Sequence, residues 1–244
     1  MTGTTPCPVC GELNRDLAGK CRRCGAFLRE RLAALDLFQT AWRVIESPGR
    51  SFLAIATAEH KTYTILLSML GGGGLAFFYL SVSPAWETAG GIGGALLAGG
   101  IAGAAVGLVG VCLLALLLVL LGLAVKKKVS FSSARGVLSY ALLPAVLNLI
   151  LVLPMKVMAF GVYQFLRVPE SAVPDPVLRW LALGIDSAFG LWLIILIAYA
   201  VRALFSFRFY VSLAASVSLS LISTLCGGGA LRFALNILQG LGLP

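Results

Sequence analysis

Cys7-Pro-Val-Cys10 and Cys21-Arg-Arg-Cys24 form two Cys-x-x-Cys pairs separated by ten residues. Thiolates so spaced reach the corners of a tetrahedron about 2.3 Å from one zinc ion, and the glycine after each pair, Gly11 and Gly25, permits the turn that aims backbone N–H groups at sulfur. The chemistry predicted for Cys7, Cys10, Cys21 and Cys24 is therefore the holding of one structural zinc, whose binding folds a segment too short to have a core. Redox catalysis needs one exposed thiol of low pKa, which two matched pairs fit poorly, and haem attachment needs a histidine where Gly11 and Gly25 stand. Four sulfurs close the site, which argues against zinc catalysis. Cys112 and Cys226, alone in apolar stretches, read as small apolar fillers.

Three further polar residues fall inside apolar runs: Asp186, Lys156 and Asn148. An uncompensated acid in lipid costs at least ~2.5–3.5 kcal/mol, so Asp186 must pair with Lys156, or be protonated and bonded to Ser187 or Asn148. A proton or substrate relay is the functional alternative, weakened by the lack of further acids along a path. His60, the sole histidine, sits beside Glu59 at the start of an apolar run and reads as an interfacial side chain. The chain lacks His-Glu-x-x-His, Gly-x-Ser-x-Gly and paired intramembrane aspartates, so it is expected not to be an enzyme.

The elements that must position these residues are membrane helices. Of the 244 residues 59% are apolar and 12% charged, a surface that water would not tolerate. Residues 1–31 lack the apolar core of a secretory signal, so the first apolar run is expected to be an uncleaved anchor. Spans are predicted at 63–83, 98–125, 137–160, 178–201 and about 209–226, the 21 residues of the first covering a ~30 Å hydrocarbon core at ~1.5 Å each. The second begins after a Gly-rich lead-in and ends at Lys126, Lys127 and Lys128; Pro144 and Pro154 predict a kink in the third. Gly227, Gly228 and Gly229 predict a break, leaving 230–241 as a short terminal piece.

Gly99, Gly103 and Gly107 recur every four residues on the second span, a stripe that admits another helix closely, either within the bundle or from a second copy. Gly71 to Gly74 point all around the first span and predict a hinge or another close crossing rather than a stripe. The segments 1–62, 126–136 and 202–208 hold nine, four and two Lys or Arg, against none in 84–97 and one in 161–177. With five spans the rich segments share one side, which the positive-inside tendency makes the cytosol. The formal charge of +9 thus reports topology and not nucleic acid; Lys126 to Lys128, Arg202 and Arg208 enforce that topology, with contact to anionic headgroups as a secondary expectation.

Before the first span, Leu28, Leu32, Leu35, Phe38, Trp42 and Ile45 recur at helical spacing, opposite Arg29, Asp36 and Arg43. Such a helix lies on the membrane or packs against the span ends; Ser47-Pro48 ends it, and a second short helix over about 48–60 follows. The expected fold class is an all-α polytopic membrane protein: a zinc ribbon over 1–26, amphipathic helices over 27–62 and a five-helix transmembrane domain over 63–244.

The segment Trp42-Arg-Val-Ile-Glu-Ser-Pro48-Gly-Arg-Ser-Phe52, the small-residue second span and Gly136-Val-Leu-Ser-Tyr140-Ala-Leu-Leu-Pro144 resemble the Yip-domain family of five-span membrane proteins over roughly residues 38–230. Eukaryotic members are associated with Rab GTPases, vesicle traffic and membrane shaping. A prefixed zinc ribbon resembles bacterial members, which implies a bacterial inner membrane and no Rab partner. The expected function is a non-enzymatic scaffold or adaptor with a zinc-ribbon docking module, a cytosolic protein partner and self-association. The alternative is a small transporter or channel using Asp186 and Lys156.

Overall fold

The computed structural model describes residues 4–7, 9–15, 21–25, 36–58, 60–83, 92–161, 176–206 and 209–240. Leu28, Arg29, Leu32, Leu35, Glu59, Pro169, Pro174 and Arg208 lie outside them. At the N-terminus β1 (Thr4–Pro6) pairs antiparallel with β2 (Leu13–Arg15), Thr4 opposite Arg15 and Pro6 opposite Leu13. Two short helices follow. The Asp36 carboxylate accepts from the Gln39 N–H at 3.1 Å and so caps α1 (Leu37–Glu46), while Pro48 begins α2 (Pro48–Thr57), where its missing N–H removes no helical bond.

The remainder is helical and apolar. Its long elements are α3 (Thr64–Val82), α4 (Ile92–Ala124), a broken run from Phe131 to Phe160, α8 (Pro176–Phe205) and α9 (Phe209–Gly240). The first four are long and apolar enough to cross a membrane, and α9 carries two shorter apolar stretches, Phe209–Ser220 and Cys226–Leu238. Helix α4, the broken run and α8 begin ahead of the spans predicted from residues 98, 137 and 178, and α8 runs past 201. A helix that continues to the interface keeps its peptide groups bonded; one that stops at the last apolar residue does not.

The broken run lies at the centre. In its most apolar stretch 78% of residues are buried, against 17% in α4 and 22% in α8. It consists of α5 (Phe131–Ala141), α6 (Leu143–Leu147), a π turn (Asn148–Val152) and α7 (Leu153–Phe160). Each break precedes a proline. Ahead of Pro144 the Leu142 N–H bonds back to Ser139 O at 3.3 Å, tightening the turn. Ahead of Pro154 the turn widens, so that the Leu153 N–H reaches Asn148 O. Both adjustments re-satisfy the backbone that a proline disrupts. Tyr140, Val137, Phe52, Ile55, Leu196 and Phe205 form the main core around this run, and Phe77, Leu80, Ala98, Ala102, Leu231 and Leu235 form a second.

One glycine expectation changes and another holds. Helix α9 does not break at Gly227 to Gly229 but runs unbroken from Phe209 to Gly240. Glycine in a helix costs about 1 kcal/mol, whereas opening the ladder in lipid strands N–H and C=O groups at several kcal/mol each, so continuity wins. Gly228 also lies against the Tyr79 ring, leaving no room for a Cβ. The glycines of α3, expected to act as a hinge or another close crossing, make close crossings with neighbours on different sides. Gly72 meets Gly103 and Gly107 of α4, while Gly71 meets Leu142 and Gly74 the Ala145 backbone of the broken run. Helix α3 also covers Gly99, whose open side faces Phe77.

Leucine at Gly72 or Gly107 should therefore destabilise the protein by at least ~1–3 kcal/mol, because backbone and not a movable side chain stands in the way. Leucine at Gly100 or Gly110, which face open space on the same helix, should change it by less than ~0.5 kcal/mol. Thermal unfolding of the four variants in detergent checks this, and equal effects at all four would refute the crossing.

Candidate functional site

The β1–β2 hairpin and the turn at 21–24 bring the four cysteine sulfurs within 4.8 Å of one another. Cys7 Sγ lies 3.6 Å from Cys24 Sγ, and Cys10 Sγ lies 3.5 Å from Cys21 Sγ. Corners of a tetrahedron drawn at ~2.3 Å from a metal are ~3.8 Å apart, so this donor set fits one ion. Gly11 (φ +72°) and Gly25 (φ +70°) close the knuckles in the left-handed region, where Gly11 N–H donates to Cys7 O at 3.0 Å and Gly25 N–H to Cys21 O at 3.1 Å.

Sequence reasoning missed Asn14, which is buried at 1% exposure. Its amide donates to Cys21 Sγ at 3.5 Å and Glu12 O at 2.7 Å, and its carbonyl accepts from Arg22 N–H at 2.9 Å, tying the two knuckles together. The alternation of β2, which turns Asn14 inward and Leu13 outward, is the only trace of this role in the sequence.

The sulfurs differ electrostatically. The backbone N–H of Cys24 leads in drawing the Cys21 thiol down to about 6, against desolvation, with help from Arg23 N–H and the Asn14 amide. Cys7 is lowered by the Cys10 and Val9 N–H groups. At Cys10 the Glu12 backbone acts downward but is outweighed by desolvation and by the sulfurs of Cys24, Cys21 and Cys7, which push it up to about 12. Four thiolates crowded together repel one another, and a bound dication removes that repulsion.

A second constellation lies within the bundle. Asp186 on α8, Lys156 on α7 and Asn148 at the start of the π turn are all buried. The Lys156 ammonium pairs with the Asp186 carboxylate, whose other oxygen accepts from Asn148 Nδ2 at 2.9 Å. Lys156 also donates to Ser81 Oγ of α3 at 3.4 Å. The cluster thus joins α3, the broken run and α8. Ser187 takes no part in it, since its hydroxyl donates to Leu183 O at 2.8 Å.

The other residues singled out stand apart. His60 is exposed between α2 and α3, Cys112 is half-buried on α4, and Cys226 is exposed on α9. On α1 the face carrying Phe38, Trp42 and Ile45 stays exposed while Thr40 and Val44 pack inward. The helix therefore packs by one edge and leaves its bulkiest apolar face open.

Breaking the intramembrane pair on one side should be costly. Asp186→Ala, which leaves Lys156 buried and unpaired, should lose ~3–5 kcal/mol, while Lys156→Met with Asp186→Leu should lose clearly less. Thermal unfolding in detergent separates these outcomes, and a double variant worse than Asp186→Ala would speak against a charge balance.

Among known families, the model described as "Yip1 domain" matches residues 42–231 of this sequence. No curated protein and no solved structure matches it.

Proposed function

This chain belongs to the Yip1 domain family of membrane proteins, and from that premise we propose that it is a non-enzymatic scaffold of the bilayer, with an N-terminal zinc ribbon as its docking module. The observation that carries the reading is the closed donor set. Cys7, Cys10, Cys21 and Cys24 supply all four ligands a tetrahedral ion accepts, leaving no position for substrate or activated water. Four soft thiolates favour zinc over the hard cations. The intramembrane charges are likewise spent on each other, which supports an architectural role for Lys156 and Asp186.

The lysine and arginine distribution supports a cytosolic N-terminus, and the ribbon joined to this family's spans supports a bacterial inner membrane. There the ribbon, with the open face of α1 beside it in sequence, presents a surface for a cytosolic protein. Self-association has less support, because α3 already covers Gly99, Gly103 and Gly107.

The purified protein should contain one zinc per chain, and Cys21→Ser should abolish it without unfolding the helices. Elemental analysis with circular dichroism checks both. Photo-crosslinking in cells from Val9, which is exposed between Cys7 and Cys10, should trap a protein partner that Cys21→Ser releases. If Val9 yields no adduct in the intact protein, the adaptor role is lost even where zinc is bound. Transport through the bundle is the second reading, favoured by the π turn beside the buried pair. Proteoliposome proton or solute flux abolished by Asp186→Asn would establish it in place of the scaffold.

A further inference from the structure

Away from the ribbon and the intramembrane pair, two cations meet where the chain enters the bundle. Lys61 lies between α2 and α3, and Arg135 on the first turns of α5. The Lys61 side chain crosses the bare backbone of Gly136, where a Cβ would stand 2.9 Å from Lys61 Cε. Its ammonium donates to Ala58 O at 2.8 Å, which leaves two of its three N–H groups. The Arg135 Nε is buried and makes no hydrogen bond.

Among the described residues the ion pairs are Arg23–Glu12 and Lys156–Asp186, so neither Lys61 nor Arg135 meets a carboxylate there. Burial, and then repulsion from Arg135, lowers the Lys61 pKa, as expected of like charges sharing a poorly solvated site. Ser133, on the turn before Arg135, donates to Ala56 O at 2.7 Å and holds α5 against the end of α2. The Lys61 ammonium and the helix that bears Arg135 are thus both tied to the end of α2.

We propose that Lys61 and Arg135 form a phosphate site at the membrane boundary, filled by the headgroup phosphate of an anionic lipid or by free phosphate. Two adjacent positive charges with unused donors call for an anion that brings several oxygens at once. A phosphate does so, and a guanidinium engages it through two parallel N–H bonds. Position favours the lipid. Lys61 stands just before the span beginning at Thr64, and Arg135 just after the start of the run at Phe131, so both sit where headgroups lie. The site depends on neither the zinc ribbon nor the scaffold reading.

Native mass spectrometry of the detergent-purified protein, with added phosphatidylglycerol or phosphatidylcholine, tests the lipid; calorimetric titration with inorganic phosphate tests the free anion. The intact protein should retain phosphatidylglycerol in preference to phosphatidylcholine. Lys61→Gln with Arg135→Gln should weaken this at least about tenfold, while Lys126→Gln with Lys128→Gln, which removes exposed charge elsewhere, should weaken it less than about twofold. Saturable binding of inorganic phosphate without lipid preference, lost in the same double variant, would assign the site to the free anion. If that variant fails to fold, Arg135→Lys decides, with a several-fold loss expected because the bidentate contact goes while the charge stays. Equal retention of both lipids with no phosphate heat, equal losses in both double variants, or unchanged binding in Arg135→Lys would each overturn the proposal.

Discussion

A peptide N–H or C=O turned toward hydrocarbon finds no water to replace its lost partner, at a penalty of several kcal/mol per group. That constraint explains why α9 keeps its ladder through Gly227, Gly228 and Gly229, where an aqueous helix would readily end. It explains why the prolines of the central run are each preceded by a compensating turn, tighter before Pro144 and wider before Pro154. The π turn that results begins at Asn148, whose side chain meets the Asp186 carboxylate. Backbone satisfaction and charge satisfaction therefore share one short stretch of chain.

Close approach between helices in lipid gains little from expelling water and depends on packing, so it needs small residues on both sides. Gly72 against Gly103 and Gly107 supplies that contact, and Gly74 against the Ala145 backbone supplies a second on another side of the same helix. Helix α3 is thereby held between α4 and the central run, with Ser81 placed to accept from Lys156. Small-residue packing and the buried ion pair fix the same arrangement by different physics.

Much of this was legible in the residues. The Cys-x-x-Cys spacing announced the four-sulfur cluster, and long apolar runs announced the four helices long enough to cross a membrane. The cost of burying Asp186 pointed to Lys156 and Asn148, because few other polar groups lie at that depth. Helix ends were less legible, since apolar windows report hydrocarbon while helices extend to wherever water takes over the hydrogen bonds. Asn14 was hidden because the alternation of a three-residue strand is too brief to single out one amide among polar residues. The outward turn of Phe38 and Trp42 was hidden for another reason: an amphipathic pattern shows that a face exists but not what covers it.

Helix α4 has 33 residues, which at ~1.5 Å each measure ~50 Å, against a hydrocarbon thickness of ~30 Å. Apolar nearly throughout, it exceeds the membrane it crosses, and tilt alone within the usual range does not absorb the excess. The surrounding lipids must thicken around it or its ends must stand clear in the headgroup layer. Either adjustment penalises thin bilayers, so this one helix biases the protein toward thicker or more ordered regions of whatever membrane houses it.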